Sequence, residues 1–276
     1  MIWSTQVRRG KPDLPGLRAT RMSRAPEGRR STGRERHNLH GKPHPMSAPP
    51  PETRPPLAPA RLGIFGGSFD PVHYGHLLLA ETCREQCPLD QVWLLPAAVP
   101  PHKRRHRLTP DRQRIEMLQL ALGGHQTSQV STLEIDRGGV SYTVDTLAAL
   151  HAQLPHTELF LLMGGDSLAD LPHWRAPQRI CELAIPVVVR RAGTPEPDID
   201  LLGPLVNSRR LDRIRQAQVE MPVIDLSSTD LRRRVARGQS IRFRTPRAVE
   251  MYIRTHGLYR DLGPRSEEDE PASENA

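Results

Sequence analysis

Six short apolar runs alternate with segments of helical period between residues 61 and 226, and that alternation leaves few folds open. The runs are RLGIF (61–65), QVWLLP (91–96), QVSTLEI (129–135), ELFLLMG (158–164), AIPVVVR (184–190) and VEMPVIDL (219–226). Each has the length of a strand. Between them YGHLLLAETCREQ (74–86), TPDRQRIEMLQLALGG (109–124) and SYTVDTLAALHAQL (141–154) carry apolar residues at helical spacing. Thr109 is expected to cap the second of these, with Pro110 at its first position and Gly123 and Gly124 closing it. Strands that alternate with helices imply right-handed crossovers. The expected fold is therefore α/β, a doubly wound Rossmann-like parallel sheet with helices on both faces. Two short helices, SSTDLRRRVARG (227–238) and TPRAVEMYIRTHGLY (245–259), come after the last strand.

In such a sheet, ligands bind beyond the carboxyl ends of the strands, where strand order reverses. GIFGGSFDPVHYGHL, residues 63–77, falls where the first strand becomes the first helix. Gly66 and Gly67 let the backbone approach a ligand and permit positive φ. The amides of Gly66, Gly67, Ser68 and Phe69 suit an anion-binding nest. Pro71 stiffens the exit, and Gly75 leaves room over the helix. His73 and His76 straddle a helix start, whose free N–H groups favour negative charge. The ligand that suits this loop is a phosphate. The stretch contains neither G-x-x-x-x-G-K-[ST] nor G-x-G-x-x-G, so it is neither the familiar P-loop nor the dinucleotide fingerprint. A plain glycine turn with two surface histidines is the simpler alternative.

Charge adds little to this. The net charge is +8, but residues 1–60 alone hold 12 Lys/Arg against 4 Asp/Glu, and the rest of the chain balances. Those 60 residues also hold 11 of the 28 prolines, and they read as a disordered basic tail, with Met46 as an alternative start. Residues 61–260 form the folded domain, and 261–276, with 6 acidic residues and one arginine, form an acidic tail. Nucleic-acid binding would have to rest on the basic tail, and none is expected of the core. Cys83, Cys87 and Cys181 suit a reducing cytoplasm. Cys83 and Cys87 have the spacing of a metal pair, but no second pair matches them, so no protein metal site is expected. No apolar run has membrane-spanning length.

GGSFDPVHYGHL resembles the signature of the HIGH-type nucleotidyltransferases, and within them nicotinate-nucleotide adenylyltransferase. PAAVPPHKRR (96–105), EIDRGGVSYTVDTL (134–147), LLMGGDSLADLPHW (161–174), DLSSTDLRRRV (225–235) and PRAVEMYIRTHGLY (246–259) resemble that family in the same order. The resemblance implies transfer of the adenylyl group of ATP to nicotinate mononucleotide, with Mg2+ arriving on ATP. It implies His73, His76, Lys103 and Arg232 as the residues that neutralise phosphate charge, with His102 and Arg104 beside Lys103. Gly66, Gly67, Ser68, Phe69, Gly164, Asp166, Ser227, Ser228 and Thr229 would bind ATP. Tyr142, Thr143 and Trp174 would bind the acceptor: the indole stacks on the pyridine ring, and the two amides hold its carboxylate. Each has a structural alternative: Ser227 to Thr229 as helix caps, Asp166 as a cap for SLADL, Trp174 as a packing residue. The family often places a polar residue in the turn before PPHK, where this chain has Ala97 and Ala98. That departure leaves the amide mononucleotide open as acceptor, with another phosphorylated acceptor such as phosphopantetheine as a further alternative.

Overall fold

β1 (Arg61–Gly67) lies at the centre of a six-stranded sheet of order β3-β2-β1-β4-β5-β6, every ladder of it parallel. The other strands are β2 (Gln91–Pro96), β3 (Ser128–Val130), β4 (Glu158–Gly164), β5 (Ala184–Arg191) and β6 (Val219–Met221). This computed structural model describes residues 58–101, 108–191, 193 and 195–260. In β4 every residue from Leu159 to Gly164 is buried, as a strand covered on both faces requires. The helices are α1 (Tyr74–Gln86), α2 (Asp111–Leu122), α3 (Leu133–Arg137), α4 (Thr143–Gln153), α5 (Gly165–Asp170), α6 (Pro177–Leu183), α7 (Ser208–Gln216), α8 (Ser228–Ala236) and α9 (Arg247–Thr255), of which α9 packs on α2.

The chain builds outward from β1 to β3, then returns to the other side of β1 for β4 to β6. Strand order therefore reverses between β1 and β4. Their ladder ends at Ile64 and Leu161. Beyond that point β1 stays paired with β2 as far as Gly67, and β4 with β5 as far as Gly164. The two central strands part at their carboxyl ends, and a crevice opens between them.

Several expected elements are shorter than the apolar pattern suggested. The third run holds a strand only over Ser128–Val130 and continues as the one-turn helix α3. β3 is an edge strand with three paired residues, and tertiary contacts set the path of the chain beyond it. Glu134 is buried in α3 and accepts a hydrogen bond from Thr146 Oγ1 of α4 at 2.7 Å, which a strand running straight on would not allow. The sixth run ends as strand at Met221, because Pro222 has no N–H to give a ladder. Pro110, not Thr109, is the N-cap of α2, and Gly123 is its C-cap. Thr109 donates its amide to Asp70 Oδ2 instead. α4 starts at Thr143 with Tyr142 as its N-cap, and α9 is confined to Arg247–Thr255.

Candidate active site

The turn after β1 departs from the expected geometry in one respect. Neither Gly66 nor Gly67 has positive φ; Phe69 does, at 46°. Gly67 is needed for room, since a Cβ there would stand 3.1 Å from the Phe69 ring. That ring is fully buried, edge-on to Phe65 at 5.4 Å and to His76 at 5.0 Å. Phe69 thus presents only its backbone to a ligand. At Gly66 an added Cβ would meet nothing within 4 Å, which marks the open side of the turn.

His73 is the N-cap of α1 and His76 its third residue. Their rings stack at 3.7 Å. The His73 N–H donates to His76 Nδ1 at 3.2 Å. In the neutral ring of His76 the proton therefore sits on Nε2, and that nitrogen is the donor. Gly75 borders open space over the helix start, and the His73 ring packs against it as well. Its missing Cβ is occupied by the His73 ring, whose Cε1 and Nδ1 would lie 3.0 Å from it.

The polar groups of this turn are satisfied one by one, mostly from the C-terminal segment. The buried carboxylate of Asp70 accepts from the Thr109 amide at 3.1 Å and from the Tyr259 hydroxyl at 2.6 Å. Its carbonyl accepts from Arg232 Nη1 at 2.7 Å. The Pro71 carbonyl accepts from Ser228 Oγ, the Val72 carbonyl from Thr245 Oγ1, and the Tyr74 amide donates to the Arg244 carbonyl. Burial first, and then the charge and hydrogen bond of Asp70, push the Tyr259 phenol well above its ordinary range.

A cleft of about 360 Å³ lies at the carboxyl ends of β4, β5 and β6, beside the start of α1. His73 and Gly75 line it on one side, Gly164, Asp166 and Arg190 on the other, with Ile224 and Leu226 closing it. The expected residues His73, Gly164 and Asp166 meet there, and His76 joins through its stacked ring. Asp166 is in the first turn of α5, whose N-cap is Gly164, so it is not the cap that SLADL suggested. Ser227 is the N-cap of α8, with its side chain accepting from the Asp230 amide. Ser228 Oγ is turned inward to Pro71, and Arg232 holds Thr229 Oγ1 at 3.1 Å as well as Asp70. Lys103, with His102 and Arg104, lies outside the described residues.

The expected acceptor residues form a second cluster that does not line the cleft. Arg175 lies 4.6 Å over the Tyr142 ring and pairs with Asp145 at 3.3 Å, which joins the Trp174 segment to the start of α4. Trp174 is half-buried and packs against the core. The Tyr142 amide is bonded to the Val140 carbonyl, so of the two expected amides only that of Thr143 heads α4. Ala98 N–H is held by Ser141 Oγ at 2.9 Å. Asp70, Arg114 and Tyr259 were missed from the sequence, and only Arg114 left a trace there, as a charge on the apolar face of a helix.

The family model described as Cytidylyltransferase-like matches residues 64–234. A protein of Thermomicrobium roseum named “Probable nicotinate-nucleotide adenylyltransferase” is 47% identical over 203 residues, covering 74% of this chain and 93% of its own. This chain belongs to the nicotinate-nucleotide adenylyltransferase family. A Thermus thermophilus member with the same name is 43% identical over 200 residues, 72% of this chain and all of its own. The fold is also that of the Plasmodium falciparum nicotinic acid mononucleotide adenylyltransferase complexed with NaAD, at 16% identity and TM-score 0.56, over 72% of this chain and 97% of the other. The family model leaves residues 1–63 and 235–276 aside.

Proposed function

We propose that this chain transfers the adenylyl group of ATP to nicotinate mononucleotide in the cytoplasm, in the crevice between β1 and β4, giving nicotinate adenine dinucleotide and pyrophosphate. The observation that carries this is the stacked pair His73 and His76 at the start of α1, directly beyond the strand-order reversal. The phosphate oxygen of the acceptor attacks the α-phosphorus of ATP in line, and pyrophosphate departs. A phosphate monoester is already ionised, so no protein base is required. The work left to the protein is alignment and charge neutralisation, of which alignment supplies roughly 7–11 kcal/mol.

His76 Nε2–H is the donor aimed at the phosphates, with its tautomer set by the His73 amide. Asp166, on the far wall, suits ribose hydroxyls. Arg232 and Thr229 flank the turn and serve the β- and γ-phosphates, and Ser227 caps the helix that carries them. Trp174, Thr143 and the Tyr142 ring form the acceptor end. Among the described residues no three His, Cys, Asp or Glu side chains group as metal ligands. The Mg2+ of the reaction arrives with ATP, held by phosphate oxygens and water.

Acceptor identity has a second reading. Ala97 and Ala98 offer no side-chain donor, and the Ala98 amide is bonded to Ser141, so this turn adds no discrimination between acid and amide. Pyrophosphate release from ATP with each mononucleotide tests both points. The expected result is release with the acid and much slower release with the amide. No release with the acid refutes the proposal, and equal rates refute the acceptor preference.

A further inference from the structure

Arg114 is fully buried on the face of α2 that also carries the buried Met117, Leu118 and Ala121. Removing a guanidinium from water costs several kcal/mol unless its donors are matched. Here they are. Nε donates to the Thr109 carbonyl at 3.1 Å, Nη1 to the Ser68 carbonyl at 2.9 Å, and Nη2 to the Ala97 carbonyl at 2.7 Å and to Asp111 Oδ1. Three carbonyls from three separate segments meet one cation: the exit of β1, the exit of β2 and the approach to α2. A planar fork with fixed donor directions can hold all three, and a lysine ammonium cannot reproduce that pattern.

We propose that Arg114 is a positioning residue for adenylyl transfer, acting by setting the direction of the Ser68–Phe69 peptide. This rests on the reading of the glycine turn as the phosphate site. In a trans peptide the carbonyl and the N–H point in opposite directions. The Ser68 carbonyl is drawn inward to a guanidinium with no solvent exposure, so the Phe69 N–H faces outward, on the side where Gly66 is open. Phe69 holds φ at 46° in this arrangement, a left-handed conformation that costs about 1–2 kcal/mol outside glycine. Two things hold it there: the buried ring against Phe65 and His76, and the guanidinium on the carbonyl before it. One side chain thus aims an amide at the anion and, through the Phe69 ring, backs His76.

The test uses the full chain. Labelling with 15N-phenylalanine marks four amides, because the chain has 4 phenylalanines. Addition of α,β-methylene ATP with Mg2+ to the wild-type protein is expected to shift the Phe69 amide and leave that of Phe160 in place. In Arg114→Lys the Phe69 response is expected to vanish. Its kcat is expected to fall about 10- to 100-fold, since a misplacement of about 1 Å costs about 100-fold, while KM for the acceptor stays within about twofold. A role confined to stability would lower activity only in step with the folded fraction, read from the thermal melt of the same samples. A Phe69 amide that ignores the analogue in the wild-type protein overturns the proposal, and so does folded Arg114→Lys with kcat within about threefold of wild type. If Arg114→Lys does not fold, the wild-type spectrum decides alone. Wild-type pyrophosphate release is measured alongside; its absence refutes the functional reading and leaves the amide measurement to judge Arg114.

Discussion

Gly75→Ala separates a role in placing the histidines from a role in stability, because its two effects have opposite signs. The added Cβ would lie 3.0 Å from Cε1 and Nδ1 of His73, where ordinary contact begins at 3.4 Å. The imidazole must therefore move by at least about 0.4 Å. It is 5% exposed and stacked at 3.7 Å on His76, so the movement is passed to the second ring. If about 1 Å of misplacement costs about 100-fold, half that distance costs about tenfold in kcat. Against this, alanine exceeds glycine in helix propensity by up to about 1 kcal/mol, less in a first turn, where Gly75 lies. The expected outcome is a melting temperature unchanged or slightly raised, with kcat for pyrophosphate release down about tenfold. Gly66→Ala is the companion variant. Its Cβ meets no protein atom within 4 Å, so it should leave folding alone and raise KM for ATP, the ligand being what it would strike. A stable Gly75→Ala protein with wild-type kcat would show that the paired rings need no defined position.

His76→Ala should lower kcat by about 10²–10³, the usual effect of losing one preorganised donor, with little change in melting temperature; near-normal turnover would remove His76 from the site. The raised pKa of Tyr259 makes its contribution to stability fully present below its ordinary value of about 10 and progressively lost as pH rises above it. Denaturant unfolding at stepped alkaline pH should therefore show a decline that Tyr259→Phe lacks; identical profiles would contradict the burial of that hydroxyl on Asp70. Burial pushes the Cys181 thiol up to about 11 and raises those of Cys83 and Cys87 as well, so a native thiol titration at pH 8 should find almost no reactivity and an unfolded one all three thiols. Removal of residues 1–45 should leave pyrophosphate release unchanged; loss of activity in a folded truncated chain would assign the basic segment a part in the reaction.

Short-range chemistry was legible in the chain as written. The parallel order came from strands and helices taking turns, and the turn proposed to hold phosphate was marked by glycines, a proline and two histidines at one strand end. Those signals are encoded within about a dozen neighbouring residues, which is the range over which periodicity and turn propensity act. The ends of β3 and β6 were misjudged for the same reason. Periodicity shows that a run is apolar, but Glu134 meeting Thr146 and Pro222 ending a ladder decide where the strand stops.

Tertiary structure alone decided which neighbour each polar group keeps. Arg232 is separated by 162 residues from the Asp70 carbonyl it holds, Tyr259 by 189 from the Asp70 carboxylate, and Thr245 by 173 from the Val72 carbonyl. No local pattern carries such pairings, because a hydrogen bond forms between groups that the fold brings within about 3 Å, whatever their distance along the chain. The residue types in the turn belong to the sequence; the direction of each donor belongs to the buried contacts behind it.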